Sequence, residues 1–323
     1  MKRERPWLRW VPWIIGAGAV AAVVVGALHF SEARQFVHLT ERAEPWWMLV
    51  ALALQAATYS AQGEVLACVS RAGGFPLRLA TWYELSVAKL FVDQAVPSVG
   101  VSGMVVVARS LEERGVPRTV VAAATVVDIA SCYAAYVLGL GVALLLTALR
   151  GEATTLIVWI SSFFILLGIA LTATVLGLSG RPAGRIASRL RRLEPLARMI
   201  GFLGEADLGL ARKPRLLALA TAWQIVILLL DSATVWVLIR ALGAHASASG
   251  VFASFMISTV FRIIGVLPGG LGTFEASSVL TLKMIGVGLP VALSATLLFR
   301  GLSFWLPMLP GMWCSRRAMR APG

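Results

Sequence analysis

The chain has 323 residues, 58% of them hydrophobic and only 14% charged, and carries a formal charge of +13. Soluble domains run nearer 45–50% apolar and about 25% charged, so this composition excludes an ordinary soluble enzyme and a disordered chain. At roughly 20 apolar residues per span, the length allows about six to eight membrane crossings and leaves little for a separate soluble domain.

Lys2, Arg3, Arg5 and Arg9 precede a first apolar run at about Trp10–Phe30. The run is long for a signal-peptide core and no clean small-x-small site follows it, so it reads as a retained span. A second run covers about Trp46–Val69. The next apolar stretch, Leu79–Glu112, is broken by Pro97, Gly100 and Gly103. A third run, Val120–Leu149, contains Asp128, and a fourth, Ala153–Ser179, has no charge. The segment 179–215 is basic; Ile186, Leu190, Leu193 and Leu196 recur at helical spacing, with Arg185, Arg189 and Arg192 near one face. This pattern predicts an amphipathic helix on the inner leaflet. A fifth run, Leu216–Ile239, contains Asp231. Val251–Gly286 is again broken, at Pro268, Gly269, Gly270 and Gly272, and the last run, Leu289–Trp313, contains Arg300.

The fold expected is an all-α integral membrane protein with about six transmembrane helices and two re-entrant hairpins at the broken stretches. The piece after the second break is about 13 residues, roughly 20 Å of helix against a hydrocarbon core about 30 Å thick. With both hairpins returning to their own side, segments 1–10, 70–78, 112–118, 179–215 and 314–323 carry 20 Lys and Arg. The opposite side carries Arg34, Arg42, Arg150 and Arg240. That split places both termini in the cytoplasm of a cell-membrane protein.

The broken stretches resemble each other. With Pro97 set against Pro268, Gly115-Val116 matches Gly286-Val287, Pro117 and Pro290 follow, and then comes an Ala-rich helix with one embedded charge, Asp128 or Arg300. The chain therefore reads as one polytopic domain: a repeat at about 46–149, the connector 179–215, and a second, inverted repeat at about 216–313. Discontinuous helices in inverted repeats are a transporter architecture, with the site near the midplane.

Backbone N–H groups at such breaks suit an anion, and glycine lets them approach it closely. Gly100, Gly103, Gly269, Gly270 and Gly272 are therefore candidate binding residues, with close helix packing as the other reading. Arg109, Arg262 and Arg300 are candidates for a lipid phosphate, or for internal pairs such as Arg300 with Glu275 or Asp231. Asp128, Asp231 and Glu275 could carry coupling protons or pair with those arginines. Glu275 also suits the first turn after the glycines without further function, and Lys89 and Lys283 read as side chains reaching for an interface.

The excess of 29 Lys and Arg over 16 Asp and Glu points to membrane lipids with anionic headgroups as partners; membrane burial argues against nucleic acid. The three cysteines and three histidines form no metal cluster, and no P-loop, nucleophile elbow, zinc-protease motif or DxD pair is present. No cofactor, metal or catalytic residue is expected.

The run Pro268 to Glu275, then Gly286-Val287, Leu298, Phe299, Arg300 and Trp305, resembles the C-terminal signature of the transmembrane region of lysylphosphatidylglycerol synthases, a flippase-like domain. Pro97, Gly100, Gly103, Arg114 to Val116 and Asp128 resemble its N-terminal motif, although Ser102-Gly103 stands where many members carry an acidic residue. The resemblance covers about residues 46–315. It implies a membrane protein that moves or handles lipids, without the synthases' soluble domain. The expected function is lipid translocation. The alternatives are a non-catalytic partner of a lipid-synthesis enzyme or a membrane-embedded lipid-modifying transferase.

Overall fold

The computed structural model describes residues 44–95, 101–151, 155–179, 194–264 and 268–318. The first apolar run, Pro97, Gly100 and the arginines at 185, 189 and 192 lie outside them. Every regular element among the described residues is helical. In chain order these are α1 (Pro45–Ala72), α2 (Leu79–Ala95), α3 (Val101–Glu112), α4 (Arg118–Leu149), α5 (Thr155–Leu178), α6 (Glu194–Gly204), α7 (Leu208–Ala211), α8 (Pro214–Ala241), α9 (Ala248–Ile264), a single 3-10 turn (Pro268–Gly270), α10 (Thr273–Met284), α11 (Leu289–Arg300), a π-helical turn (Gly301–Trp305) and α12 (Leu306–Ala318).

Element lengths recur along the chain. α1 and α8 are both 28 residues and both open on a proline, a residue whose missing N–H costs nothing in a first turn. α2 and α9 are both 17 residues, and α3 and α10 are both 12. A long helix then follows in each half, α4 with 32 residues and α11–π–α12 with segments of 12, 5 and 13. Even the stops correspond: Gly74 and Gly243 follow the long first helices and Gly115 and Gly286 follow the hairpins, all four at positive φ, the conformation that ends a helix cheaply only at glycine.

α2 and α3 form one antiparallel hairpin, with the Gly103 N–H donating to Asp93 Oδ1 at 2.8 Å. α9 and α10 form the other. Ser254 and Thr281 hydroxyls sit 2.6 Å apart, and a Cβ on Gly270 would lie 2.5 Å from Arg262 Cγ. The hairpins rise from opposite ends of the molecule. At one end, Arg118 pairs with Glu205 at 2.6 Å, the Asp207 N–H reaches Thr119 O at 3.1 Å, and Gly73 lies against Val120 and Leu210; the base of the first hairpin is there. At the other end, the Glu44 N–H donates to Ala241 O at 3.2 Å, Arg150 bonds the hydroxyls of Ser247 and Ser249, and Gly250 abuts Ile285; the base of the second hairpin is there. α1 and α8 pack along each other, antiparallel. Each hairpin leans on the long helix of the other half, α2 on α12 and α9 on α4.

Among the described residues, four stretches are long and apolar enough to cross a membrane: Arg118–Leu149, Ile157–Leu178, Pro214–Ala241 and Leu289–Cys314. They coincide with four of the six predicted runs. The second predicted run forms α1, as long as α8 but less apolar. The amphipathic pattern read at Ile186, Leu190 and Leu193 lies outside the described residues. The helix after it, α6, buries Leu203 in a core with Val65, Ala122 and Ala123.

The last long helix is interrupted by the π turn. Pro307 has no N–H to return to the carbonyl of Ser303, one turn earlier, and a wider turn with unserved carbonyls results. Donors from the first half serve them: Tyr59 Oη to Leu302 O at 3.0 Å and Gln94 Nε2 to Ser303 O at 3.1 Å.

Candidate functional site

Of the seven charged side chains described below, Lys89, Asp128 and Asp231 lie well inside their helices, and Asp93, Arg262, Glu275 and Arg300 lie within a turn of a helix end; both hairpin tips reach the same level. The tip of α2 meets the 3-10 turn of the second hairpin and α12, and Gly269 faces the Phe304 ring. Charge is costly in hydrocarbon and survives there when paired, hydrogen-bonded or hydrated.

In the first half, Lys89 stands between two carboxylates. Its Nζ lies 3.2 Å from Asp128 Oδ2 and 3.9 Å from Asp93 Oδ2. Asp128 Oδ1 accepts from two side-chain amides, Gln62 Nε2 and Gln224 Nε2, each at 3.2 Å. Asp93 Oδ1 accepts the Gly103 N–H, at the first turn of α3. The hairpin closes this tightly only because residue 103 lacks a side chain; a Cβ there would lie 2.5 Å from Lys89 O and 2.6 Å from the Asp93 carboxyl.

In the second half, Arg300 Nε pairs with Glu275 Oε1 at 2.6 Å, and a second guanidinium nitrogen donates to Gly269 O at 2.8 Å. The guanidinium carbon lies 5.3 Å from the Phe274 ring centre and 4.7 Å from that of Phe304, so cation–π attraction adds to the pair. Glu275 Oε2 accepts the Gly272 N–H at 2.6 Å. The first turn of α10 is thus capped by a carboxylate, as that of α3 is, in keeping with the positive potential of a helix N-terminus.

A third group joins the halves. Asp231 Oδ1 accepts from Gln55 Nε2 at 2.8 Å and from Thr58 Oγ1 at 3.4 Å. Arg262 donates to Tyr136 Oη at 3.0 Å and lies within electrostatic range of Asp231, Cys132 and Arg300. Asp128, Cys132 and Tyr136 follow one another at four-residue intervals on one face of α4, so the Lys89 and Arg262 groups lie along the same face about 12 Å apart. Among the described residues, Arg262 alone of the three interior cations makes no ion pair.

The predicted site residues therefore separate. Asp128, Asp231, Arg262, Glu275 and Arg300 belong to the charged layer. Arg109 does not: it is 67% exposed and pairs at 2.9 Å with Glu113, just past the end of α3. Arg300 has taken the internal alternative, Glu275. The described glycines make packing and capping contacts. Gly103 and Gly272 give their N–H groups to carboxylates of the chain itself, Gly269 and Gly270 make room for Phe304 and Arg262, and Gly100 lies outside the described residues. Lys89 is a correction, since it is held between carboxylates rather than reaching for an interface. Gln55, Gln62, Gln224 and Tyr136 went unread, although an amide in the middle of an apolar helix is itself a signal of a buried polar contact. Among the described residues no cluster of His, Cys, Asp and Glu could hold a metal ion.

Long apolar helices around an interior layer of paired charge define an all-helical, multi-pass membrane protein. The chain belongs to the family of the lysylphosphatidylglycerol synthase TM region, which it matches over residues 13–311. It is also similar to the UPF0104 membrane protein PH1989 of Pyrococcus horikoshii, with 30% identity over 107 residues, 33% of this chain and 32% of that protein. The chain thus spans about a third of the length of the curated relative it matches.

Proposed function

We propose that the protein carries the polar headgroup of an anionic lipid across the cell membrane, acting as a transporter and not as an enzyme. The observation that carries this reading is the placement of Arg262. It sits at the tip of a hairpin entering from one end, beside a hairpin entering from the other, and its described hydrogen bond goes to a neutral hydroxyl. A guanidinium in that state can take two phosphate oxygens, with Tyr136 as a neighbouring donor.

The antiparallel α1 and α8, the matching element lengths and the opposed hairpins support an inverted repeat, with the headgroup between halves that rock to open the site on alternate sides. Arg300 orients the second tip through Glu275 and Gly269 and does not itself bind the headgroup. The end bearing Arg118 and Arg212 is assigned to the cytoplasm by its basic residues.

Purified protein in liposomes, with a fluorescent anionic phospholipid in one leaflet, tests this. Wild-type protein should speed its movement across the bilayer, and Arg262→Ala should lose that activity while remaining in the membrane. Equal rates with wild-type protein and empty liposomes would end the transport reading. Equal rates for wild-type and Arg262→Ala would end the site assignment.

A further inference from the structure

The charges of the interior layer do not cancel. Among the described residues, Lys89, Arg262 and Arg300 face Asp93, Asp128, Asp231 and Glu275, three cations against four carboxylates. Arg300 and Glu275 neutralise each other in contact. Asp231 and Arg262 lie in electrostatic range and offset each other more loosely. The excess negative charge falls in the first half, where a single ammonium serves both Asp93 and Asp128. An uncompensated carboxylate in a low-dielectric interior is expensive, and a proton is the smallest cation that removes the cost.

The geometry distinguishes the two carboxylates. Asp128 is served on both oxygens: two amides hold Oδ1 and Lys89 lies 3.2 Å from Oδ2. Asp93 has a backbone N–H on Oδ1, but the ammonium is 3.9 Å from its Oδ2, beyond hydrogen-bond reach. Asp93 also stands two residues before the end of α2, at the hairpin tip, and its side chain is 19% exposed against 5% for Asp128. It is the carboxylate that a proton can both reach and neutralise. The ionisable groups facing it are Lys89 on its own helix and Asp128 on α4, with Cys132 one turn beyond Asp128 and interacting with Lys89. Those described on α3, Arg109 and Glu112, lie at its far end.

We propose that Asp93 is a proton-binding site that couples the opening of the first hairpin to the pH difference across the membrane. A proton from water forms an O–H bond at Oδ2 on one side, and Lys89 settles on Asp128 alone while the proton is bound; release of the proton to water on the other side restores the shared ammonium. The coupling rests on the translocation reading above, whereas the proton site does not.

Two measurements test it. Infrared difference spectra of the reconstituted protein, recorded as the pH is lowered, should show a carboxylic-acid carbonyl band that Asp93→Asn loses and that Asp128→Asn and Asp231→Asn keep. Asp93→Glu should restore the band at a shifted position, which guards against misfolding. In liposomes, an imposed pH gradient should change the wild-type rate of lipid movement, and Asp93→Asn should lose that response. A band unaltered in Asp93→Asn, a band lost instead in Asp231→Asn, or no band in the wild type would overturn the assignment. So would a rate that follows a sodium gradient at fixed pH. If the Asp93 band is present but wild-type protein moves no lipid, the proton site stands and the transport reading falls.

Discussion

The two hairpins share one plan and differ in how firmly it is executed. In each, a carboxylate caps the returning helix, Asp93 on α3 and Glu275 on α10, and a cation answers it. In the second hairpin the cation is Arg300, 2.6 Å from its carboxylate, bonded to a tip carbonyl and set between two aromatic rings. In the first it is Lys89, shared between two carboxylates and closer to the one on another helix. A flat guanidinium can satisfy a carboxylate and a carbonyl together, whereas an ammonium acts as a point charge. The same layout therefore yields a fixed tip in one half and an adjustable one in the other.

The largest test of that contrast is Glu275→Ala. It leaves the Arg300 charge buried without its partner, a loss of about 3–5 kcal/mol, and thermal unfolding in detergent should show it. Asp93→Asn should cost much less in the same assay, because the amide oxygen can still accept the Gly103 N–H and Lys89 keeps Asp128. Equal losses would mean that the two hairpins are held alike.

Next comes Gly270→Ala, at φ +66° with its added Cβ only 2.8 Å from Arg262 backbone atoms. Backbone strain and overpacking together predict roughly 2–3 kcal/mol, again read by unfolding. Gln224→Leu should follow. It removes one of two amides on Asp128, a charged acceptor, at about 1.5–3 kcal/mol, and a double variant with Asp128→Asn should recover part of it. The smallest effect is expected for Arg109→Ala, within about 0.5 kcal/mol, since an exposed i,i+4 pair contributes little. A large loss of stability there would bring Arg109 back into the argument.

Much of the frame was legible in the sequence because apolar runs and helix-breaking residues are local signals. The runs containing Asp128, Asp231 and Arg300, and the uncharged run between them, became helices within a few residues of their expected limits. The two broken stretches became antiparallel pairs. Which charges meet was far less legible. Lys89 finds Asp128 on a separate helix, and nothing near Lys89 in the chain announces it. Arg109 stood out only because it lies in a broken stretch, although Glu113, four residues on, offered a local partner. Gly103 and Gly272 have the residue type an anion site needs, but carboxylates of the chain itself occupy that role, and only three-dimensional proximity reveals it.

The π turn at Gly301–Trp305 has a mechanical consequence. Its two carbonyls are served by Tyr59 and Gln94, both from the opposite half of the chain. A joint in one half is thus braced by struts from the other, and it is stiff only while the halves touch. If they part, Leu302 and Ser303 lose their donors together, and the helix can bend or rewind at that point. Tyr59→Phe removes one strut with little change in bulk. It should leave the ends of the long helix as rigid as before while hydrogen exchange quickens around the turn.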